Sequence, residues 1–191
     1  MSANRNPHLP IETDRLVLRS FEAGDLEALA VLHGDPELVR LIPWDPRTLD
    51  EVRPVLHRKI RCTTFESAGD GFGFAVCLRS SGELIGDFML QYVSAEYATA
   101  EIGFMLLAAH HRKGYAHEAS MAILALAFDV LGMHRVIARL EARNEASALT
   151  CERLGMRREA QLVENEWIKG EWQSEVDYAI LDREWAARDD A

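Results

Sequence analysis

The segment 101–119 of this 191-residue chain carries the residues whose types and spacing are best suited to chemistry. An extended apolar run passes through the basic loop 110–113 into an apolar helical pattern that starts at Gly114. The first N–H groups of a helix have no intrahelical acceptor, and the helix dipole places about half a positive charge beside them. Because Gly114 and Ala116 leave room for close approach, the segment predicts an anion site of the kind that holds a phosphate group.

A tight strand-to-helix turn, in which Gly114 serves only for its backbone freedom, is the alternative interpretation. Arg112 and Lys113 favour the anion site, because they concentrate positive charge in a chain whose formal net charge is −10. The Gly-Lys-Ser/Thr and Gly-x-Gly-x-x-Gly patterns are both absent, which argues against a nucleoside triphosphate or a dinucleotide.

The composition predicts one acidic globular domain. Lys and Arg number 21 against 31 Asp and Glu, which disfavours a general nucleic-acid binder. No apolar run is long enough to span a membrane or to act as a signal peptide, so we expect a cytoplasmic protein. The three cysteines, Cys62, Cys77 and Cys151, have no C-x-x-C spacing, and we expect reduced thiols packed as small apolar groups.

The pattern of apolar residues predicts a loose arm over residues 1–10 and a single mixed α/β domain over residues 11–187. The central part of the chain reads as an antiparallel meander, because alternating runs are joined by polar turns. Strands are predicted near 16–19, 72–78, 84–90, 98–107, 135–140, 161–168 and 175–181, and helices near 26–32, 48–61, 114–131 and 147–154.

Several motifs resemble the GNAT acetyltransferases. The run His111-Arg-Lys-Gly-Tyr-Ala116 resembles their pyrophosphate loop, Gln/Arg-x-x-Gly-x-Gly/Ala, although His111 departs from its first position. The opening Ile11-Glu-Thr-Asp-Arg-Leu-Val-Leu-Arg19 is similar to the start of the RimJ/RimL branch. The resemblance covers about residues 11–185. Matches to that branch also occur at Leu84–Gly86, Glu101–Phe104, Asn144–Ser147, Leu154–Met156 and Asp177–Trp185.

This resemblance implies a mostly antiparallel sheet, flanked by helices, with one splayed parallel pair formed by strands 98–107 and 134–141. Acetyl-CoA would lie in the gap, with its pantetheine arm along one strand and its pyrophosphate on the amides of the basic loop. No metal is expected, since His110, His111, His117 and Glu118 do not form a His-Glu-x-x-His motif. The expected cofactor-binding residues are Phe104, Met105, Leu106, His111, Arg112, Lys113, Gly114, Tyr115, Ala116 and Asn144.

The implied activity is transfer of the acetyl group of acetyl-CoA to a primary amine by direct attack in a ternary complex. Glu101 is the expected general base, the alternative being a simple ion pair with a nearby cation. Ser147 is the second expected catalytic residue, as proton donor to the thiolate, the alternative being a helix cap. Cys151 stands where many relatives have a tyrosine as general acid, and water is a third candidate for that role.

The acceptor is expected to be a protein N-terminus or a small-molecule amine. Three tryptophans and three glutamates could surround this acceptor. Core packing or a dimer contact is the alternative explanation for the tryptophans, and a solvated surface is the alternative explanation for the glutamates. A homodimer is expected from the resemblance. The alternatives to an enzyme are a non-catalytic acyl-CoA-binding or regulatory module and a structural interaction protein. The residues in question are Trp44, Trp167, Trp172, Glu164, Glu166 and Glu171.

Overall fold

The computed structural model describes residues 9–188, so most of the predicted arm lies outside the described residues. The strands are β1 (Ile11–Glu12), β2 (Leu16–Arg19), β3 (Thr63–Thr64), β4 (Gly71–Leu78), β5 (Leu84–Ser94), β6 (Thr99–Leu106), β7 (Arg135–Glu141), β8 (Arg157–Ile168) and β9 (Glu171–Leu181). The helices are α1 (Leu26–Gly34), α2 (Pro36–Val39), α3 (Leu49–Arg61), α4 (Tyr115–Ala125), α5 (Glu145–Arg153) and α6 (Asp182–Ala186).

All nine strands belong to one sheet, and its topology confirms the predicted mixed α/β fold with a mostly antiparallel sheet. The strand order is β1-β2-β4-β5-β6-β7-β9-β8, with β3 paired to β4. Only the β6–β7 pair is parallel in the described chain. Its ladder joins Thr99, Ala100 and Glu101 to Arg135, Val136 and Ile137 and then ends. Beyond Glu101 the two strands therefore separate, as the resemblance implied.

The sheet is covered on both faces, because its strands alternate apolar residues between two cores. The larger core includes Phe88 and Ile102 of the sheet and Ile123 and Cys151 of α4 and α5. The smaller core lies on the opposite face under α1 and α3 and includes Leu29 and Leu56. Burial of each large apolar side chain contributes about 1.5–3 kcal/mol. This packing fixes β6 and β7, which frame the cleft described below.

The C-terminal part of the predicted helix 114–131 differs from the expectation. After Ala125 the chain makes a π-helical turn, Leu126–Val130, closed by a 3.0 Å hydrogen bond from Leu131 N to Leu126 O. A π turn inserts an extra residue, so it rotates the apolar stripe. Val130, which helical spacing from Ile123 and Ala127 would place on the buried apolar stripe, is consequently 54% exposed.

Candidate active site

A cleft opens where β6 and β7 separate. Ile102, Gly103 and Phe104 line it from β6, and Arg139 and Leu140 line it from β7. Its volume is about 110 Å³. Three residues from other elements complete the lining: Ile42 from the α2–α3 connection, Asn144 and Ser147.

The part of β6 beyond Glu101 pairs with β5 on one side but has no strand on the other. Phe104 faces the cleft, whereas the Met105 side chain packs against the smaller core. The carbonyl oxygen of Leu106 accepts a 2.8 Å hydrogen bond from His111 Nε2. Peptide groups between Glu101 and Leu106 that face the missing strand are therefore available to an extended ligand that contains amides.

The loop before α4 has the geometry of an anion cradle. Gly114 has φ +81° and Arg112 has φ +60°, both in the left-handed region. Within residues 9–188, no backbone amide from Arg112 to His117 donates a hydrogen bond of normal geometry, and the first helical bond of α4 is from Glu118 N to Gly114 O. Residues 111–114 are exposed. These unpartnered N–H groups at a helix start fit the negatively charged pyrophosphate of a CoA molecule.

Arg15 holds this loop in place. Its guanidinium donates from Nη1 to the carbonyl of Lys113 at 2.9 Å and from Nε to Glu118 at 2.6 Å, and it lies 4.6 Å from the ring centre of Tyr115. The pKa of Glu118 is lower than its usual value. Burial alone would raise this pKa, but the hydrogen bonds from Thr13 and Arg15 have the larger effect in the opposite direction. Sequence analysis did not single out Arg15. Its place inside the opening motif 11–19 was the available signal.

Glu101 stands at the apex of the cleft, at the last ladder position before the strands separate. Its carboxylate accepts a 2.5 Å hydrogen bond from Arg139, and its side chain is 14% exposed. Donation to Glu101 raises the pKa of the Arg139 guanidinium. The ion pair that was the alternative explanation for Glu101 therefore exists. It holds the carboxylate against Arg139, which lines the cleft.

Asn144 is the N-cap of α5, and its Oδ1 accepts a 3.1 Å hydrogen bond from the amide of Ser147. The cap is therefore supplied by Asn144 rather than by Ser147, whose side chain lines the cleft. Cys151 lies one turn further along α5 and is fully buried. Burial raises the pKa of its thiol to about 12, which makes it a poor proton donor near neutral pH.

The cysteines differ in exposure, and one expectation was wrong: Cys62 is exposed instead of packed, because it ends α3 at the surface. Cys77 and Cys151 are buried, and burial raises the pKa of both thiols. We predict that an aromatic disulfide reagent at pH 8 titrates one thiol in the native protein and all three in denaturant. Rapid reaction of a second thiol in the native protein would contradict this arrangement.

The three histidines around the loop before α4, His110, His111 and His117, each contact different groups. His111 bonds to the backbone as described, and the His110 Nε2 atom lies 3.5 Å from the Glu83 carboxylate. Burial, with Arg188 and Arg153 adding to it, lowers the pKa of His117. Among the described residues, no group of three metal-ligating side chains is present. None of the helices in the described range has the length and hydropathy needed to span a membrane.

Three of the four tryptophans are the acceptor-side candidates, and they lie in the α2–α3 connection and in the β8–β9 hairpin. Trp44 stacks on His33 with ring centres 5.4 Å apart. Trp167 and Trp172 form an edge-to-face pair at the end of the β8–β9 hairpin. Their side chains are 61% and 56% exposed, so the interpretation that they pack in the core is wrong for both. They are exposed because β8 is the terminal strand of the sheet.

Comparison with known proteins agrees with this geometry. Residues 15–157 match the family model described as the acetyltransferase (GNAT) domain. The uncharacterized N-acetyltransferase YnaD of Bacillus subtilis is 32% identical over 92% of this chain and 98% of its own length. A GNAT-family acetyltransferase crystal structure from Bacillus anthracis superposes with a TM-score of 0.82 at 30% identity, covering 92% of this chain and 99% of that one. Spermidine N(1)-acetyltransferase of Vibrio cholerae is 24% identical over 91% of this chain and 97% of its length.

The splayed parallel pair, the helix start with free amides and these matches together define the class: the chain belongs to the GNAT acetyltransferase family. It is accordingly an enzyme that transfers acetyl groups, an N-acetyltransferase.

Proposed function

We propose that this protein belongs to the RimJ/RimL-like branch and transfers the acetyl group of acetyl-CoA to a primary amine by direct attack within a ternary complex. One observation carries the proposal: Glu101 is paired with Arg139 of the cleft wall at the last ladder position before β6 and β7 separate, and the free edge of β6 leads from there to the free amides at the start of α4. The chain therefore passes in order from the Glu101 carboxylate, along the free backbone edge of β6, to the anion-binding loop before α4.

Acetyl-CoA, when bound, supplies an acetyl group activated as a thioester. The backbone of Phe104, Met105 and Leu106 would hold the pantetheine arm, since that edge of β6 has no strand partner. The pyrophosphate would be bound by the loop segment 111–116, with Arg112 and Lys113 contributing positive charge. Asn144 lines the same cleft, and its amide nitrogen remains able to donate while Oδ1 caps α5.

Glu101 would accept the proton that the substrate ammonium loses before attack. A primary amine is protonated near neutral pH, and a positioned carboxylate, directly or through water, can remove that proton. Arg139 would act with it, because its hydrogen bond fixes the direction of the Glu101 carboxylate.

Ser147 would donate a hydrogen bond to the departing thiolate. Its side chain lines the cleft, and its place in the first turn of α5 brings the positive end of that helix to the same point. Cys151 is excluded from this role by its complete burial and by its raised pKa of about 12. Water remains the alternative donor.

A cationic acceptor is favoured by the sheet face that carries Glu101. By register, Arg139, Asp177 and Glu175 lie on that same face. Burial raises the pKa of Glu175, and the neighbouring charge of Asp177 adds to the effect, while Arg139 opposes it. Glu171 contributes less, because Arg143 neutralises it. A relative that acts on spermidine is consistent with a small polycationic amine, and a protein N-terminus remains the second acceptor type.

Two-substrate kinetics test the proposal. We expect spermidine, benzylamine or a peptide with a free N-terminal serine to release CoA from acetyl-CoA, with double-reciprocal plots that intersect. Intersecting lines are expected because both substrates must be bound before transfer. Parallel lines would indicate an acetylated enzyme instead of a ternary complex, and tight acetyl-CoA binding without turnover on any amine would indicate a binding module.

A further inference from the structure

The loop before α4 is held by the turn of the chain that directly precedes β2. Arg15 donates from Nε to Oε2 of Glu118 at 2.6 Å, and its Nη2 atom lies 2.6 Å from the same oxygen. The other carboxylate oxygen, Oε1, accepts hydrogen bonds from the Thr13 hydroxyl at 2.6 Å and from the Arg15 amide at 2.9 Å. Both oxygens of Glu118 are therefore fixed by donors from this one turn.

Glu118 carries its charge in the first turn of α4, beside the amides that would bind the pyrophosphate. Burial alone would raise the pKa of this carboxyl, whose side chain is 17% exposed. The hydrogen bonds from Thr13 and Arg15 outweigh burial and keep the pKa below its usual value, so the group is ionised at neutral pH. A carboxylate at this place interacts with the positive end of the helix dipole, which an incoming pyrophosphate also needs. Without a cation beside it, Glu118 would repel the ligand, and Arg15 supplies that cation.

The second contact of Arg15 sets the direction of a peptide group in the loop. Its Nη1 atom donates to the carbonyl oxygen of Lys113 at 2.9 Å. The 113–114 peptide is trans, and in a trans peptide the C=O and the following N–H point in opposite directions. The bond to Lys113 therefore directs the amide of Gly114 away from Arg15, and within residues 9–188 that amide has no acceptor. This N–H group is thereby available to a ligand.

The two contacts need the planar fork of a guanidinium. Nη1 and the edge formed by Nε and Nη2 point in different directions, so one side chain reaches both the Lys113 carbonyl and the Glu118 carboxylate. The guanidinium also lies 4.6 Å from the ring centre of Tyr115, the first residue of α4. A lysine would keep the charge, but its single terminal nitrogen cannot hold both groups in this geometry. Arg15 does not line the cleft between β6 and β7, so its contacts concern the loop and not the pantetheine edge.

We propose that Arg15 is a positioning residue for the pyrophosphate of acetyl-CoA, which neutralises Glu118 and directs the Gly114 amide into the anion cradle. This role rests on the proposed function, in which the loop before α4 binds that pyrophosphate. Arg15 then determines the affinity for ligands that contain a pyrophosphate and has no influence on a pantetheine compound that lacks one. A side chain that only stabilises the fold would not distinguish these ligands.

Calorimetric titration of Arg15→Met with three ligands tests this role. The ligands are acetyl-CoA, acetyl-dephospho-CoA, which lacks only the 3′-phosphate, and S-acetylpantetheine, which lacks the nucleotide and the pyrophosphate. We expect the affinity for the first two to fall about 30-fold, within the range for loss of a hydrogen bond to a charged group, and the affinity for S-acetylpantetheine to stay within about twofold of the wild type. An equal fall for S-acetylpantetheine would reduce Arg15 to a structural role, and a fall for acetyl-CoA alone would indicate the 3′-phosphate instead. Both results would overturn the proposal.

Two further variants separate the two contributions. Arg15→Lys keeps the positive charge beside Glu118 but loses the bond to Lys113, whereas Arg15→Met combined with Glu118→Gln removes both charges and the bond. We expect each to bind acetyl-CoA about tenfold more weakly than the wild type, and so more tightly than Arg15→Met. Wild-type affinity in Arg15→Lys would show that only the charge matters and would overturn the orienting role. A double variant as weak as Arg15→Met would overturn the neutralisation of Glu118.

Arg79→Met is the matched control. The Arg79 side chain pairs with Glu12 at 3.4 Å and donates to the carbonyl of Thr13 at 3.3 Å, and within residues 9–188 these bonds do not reach the loop before α4. Its loss changes the net charge as much as the loss of Arg15, and we expect acetyl-CoA affinity within about twofold of the wild type. An equal fall in both variants would assign the effect to net charge or to the turn and overturn the proposal. A wild type that does not bind acetyl-CoA refutes the proposed function and this role together, whereas a wild type that binds it no better than Arg15→Met refutes this role alone.

Discussion

Replacing Gly114 by valine is expected to lower the affinity for acetyl-CoA by about 100-fold, equivalent to roughly 2.7 kcal/mol, while the protein stays folded. Gly114 has φ +81°, where a residue with a Cβ atom pays about 1–2 kcal/mol. The added Cβ would also lie 3.3 Å from Arg15 Nη2, the side chain that holds the loop. The chain relieves both problems by moving the loop, which disperses the amides that form the anion cradle. Calorimetric titration with acetyl-CoA measures the effect.

Gly132→Val is the matched control. Gly132 also has a positive φ of +66°, but a Cβ there meets no atom within 4 Å and lies outside the cleft lining. It therefore carries a similar backbone strain without disturbing Arg15 or the loop before α4. We expect wild-type acetyl-CoA affinity in this variant. An equal loss of affinity in both variants would mean that Gly114 acts only through overall stability.

Replacing Glu101 by glutamine is expected to lower kcat by about 100-fold, the lower end of the range for loss of a general base. Glutamine keeps the shape of the side chain and can still accept a hydrogen bond from Arg139, but it cannot take a proton from the ammonium. Because Glu101 is separated along β6 from the loop that begins after Leu106, the acetyl-CoA KM should not change. Activity of the variant should recover partly at high pH, where the free amine is more abundant.

Glu159→Gln is the control for this prediction. Glu159 also pairs with arginine, Arg135 at the beginning of β7, and its side chain is 26% exposed. Its partner Arg135 lies at the end of the β6–β7 pair opposite to the cleft. Glu159→Gln therefore removes the same charge from an arginine pair but leaves the Glu101 carboxylate in place. We expect kcat to stay near the wild-type value. A similar fall in kcat for Glu101→Gln and Glu159→Gln would reduce Glu101 to a structural ion pair.

The sequence predicted the elements that position the site because their patterns are local. The apolar run 98–107, the basic loop and Gly114 are consecutive, and the structure places them as a strand, a turn and a helix start. The parallel arrangement of β6 and β7 came from the family resemblance. The alternation of apolar and polar residues also predicted most of the strands. A strand that packs against a core needs apolar residues at fixed intervals, and these intervals are visible in the sequence.

Contacts between distant residues could not be predicted in the same way. Arg15 and Glu118 are 103 positions apart, and Glu101 and Arg139 are 38 positions apart. Neither Arg15 nor Arg139 stands out from the other charged residues of its own segment, and only the folded sheet brings each of them to its carboxylate partner. The hydrogen bonds that join Arg47 to His33 and His33 to Asp87 could not be predicted from the sequence for the same reason, because they connect three separate elements.

Two errors of detail have local physical causes. β8 begins at Arg157 rather than near residue 161, because this edge strand is exposed along nearly its whole length and lacks alternating apolar residues. Asp25, which directly precedes α1, is of a residue type that commonly caps helices, but its carboxylate forms two hydrogen bonds with Arg19 and provides no side-chain cap. An ion pair with β2 competes successfully with a helix cap at this position.

Acetyl transfer from CoA to the nitrogen of an amine can be detected by incubating the protein with a cell extract and with acetyl-CoA that is labelled in the acetyl group. The labelled product is then identified by mass spectrometry. We predict label in an amide that resists hydroxylamine and disappears with Gly114→Val but persists with Gly132→Val. Release of free acetate alone, or label held in an ester or thioester, would contradict the assignment.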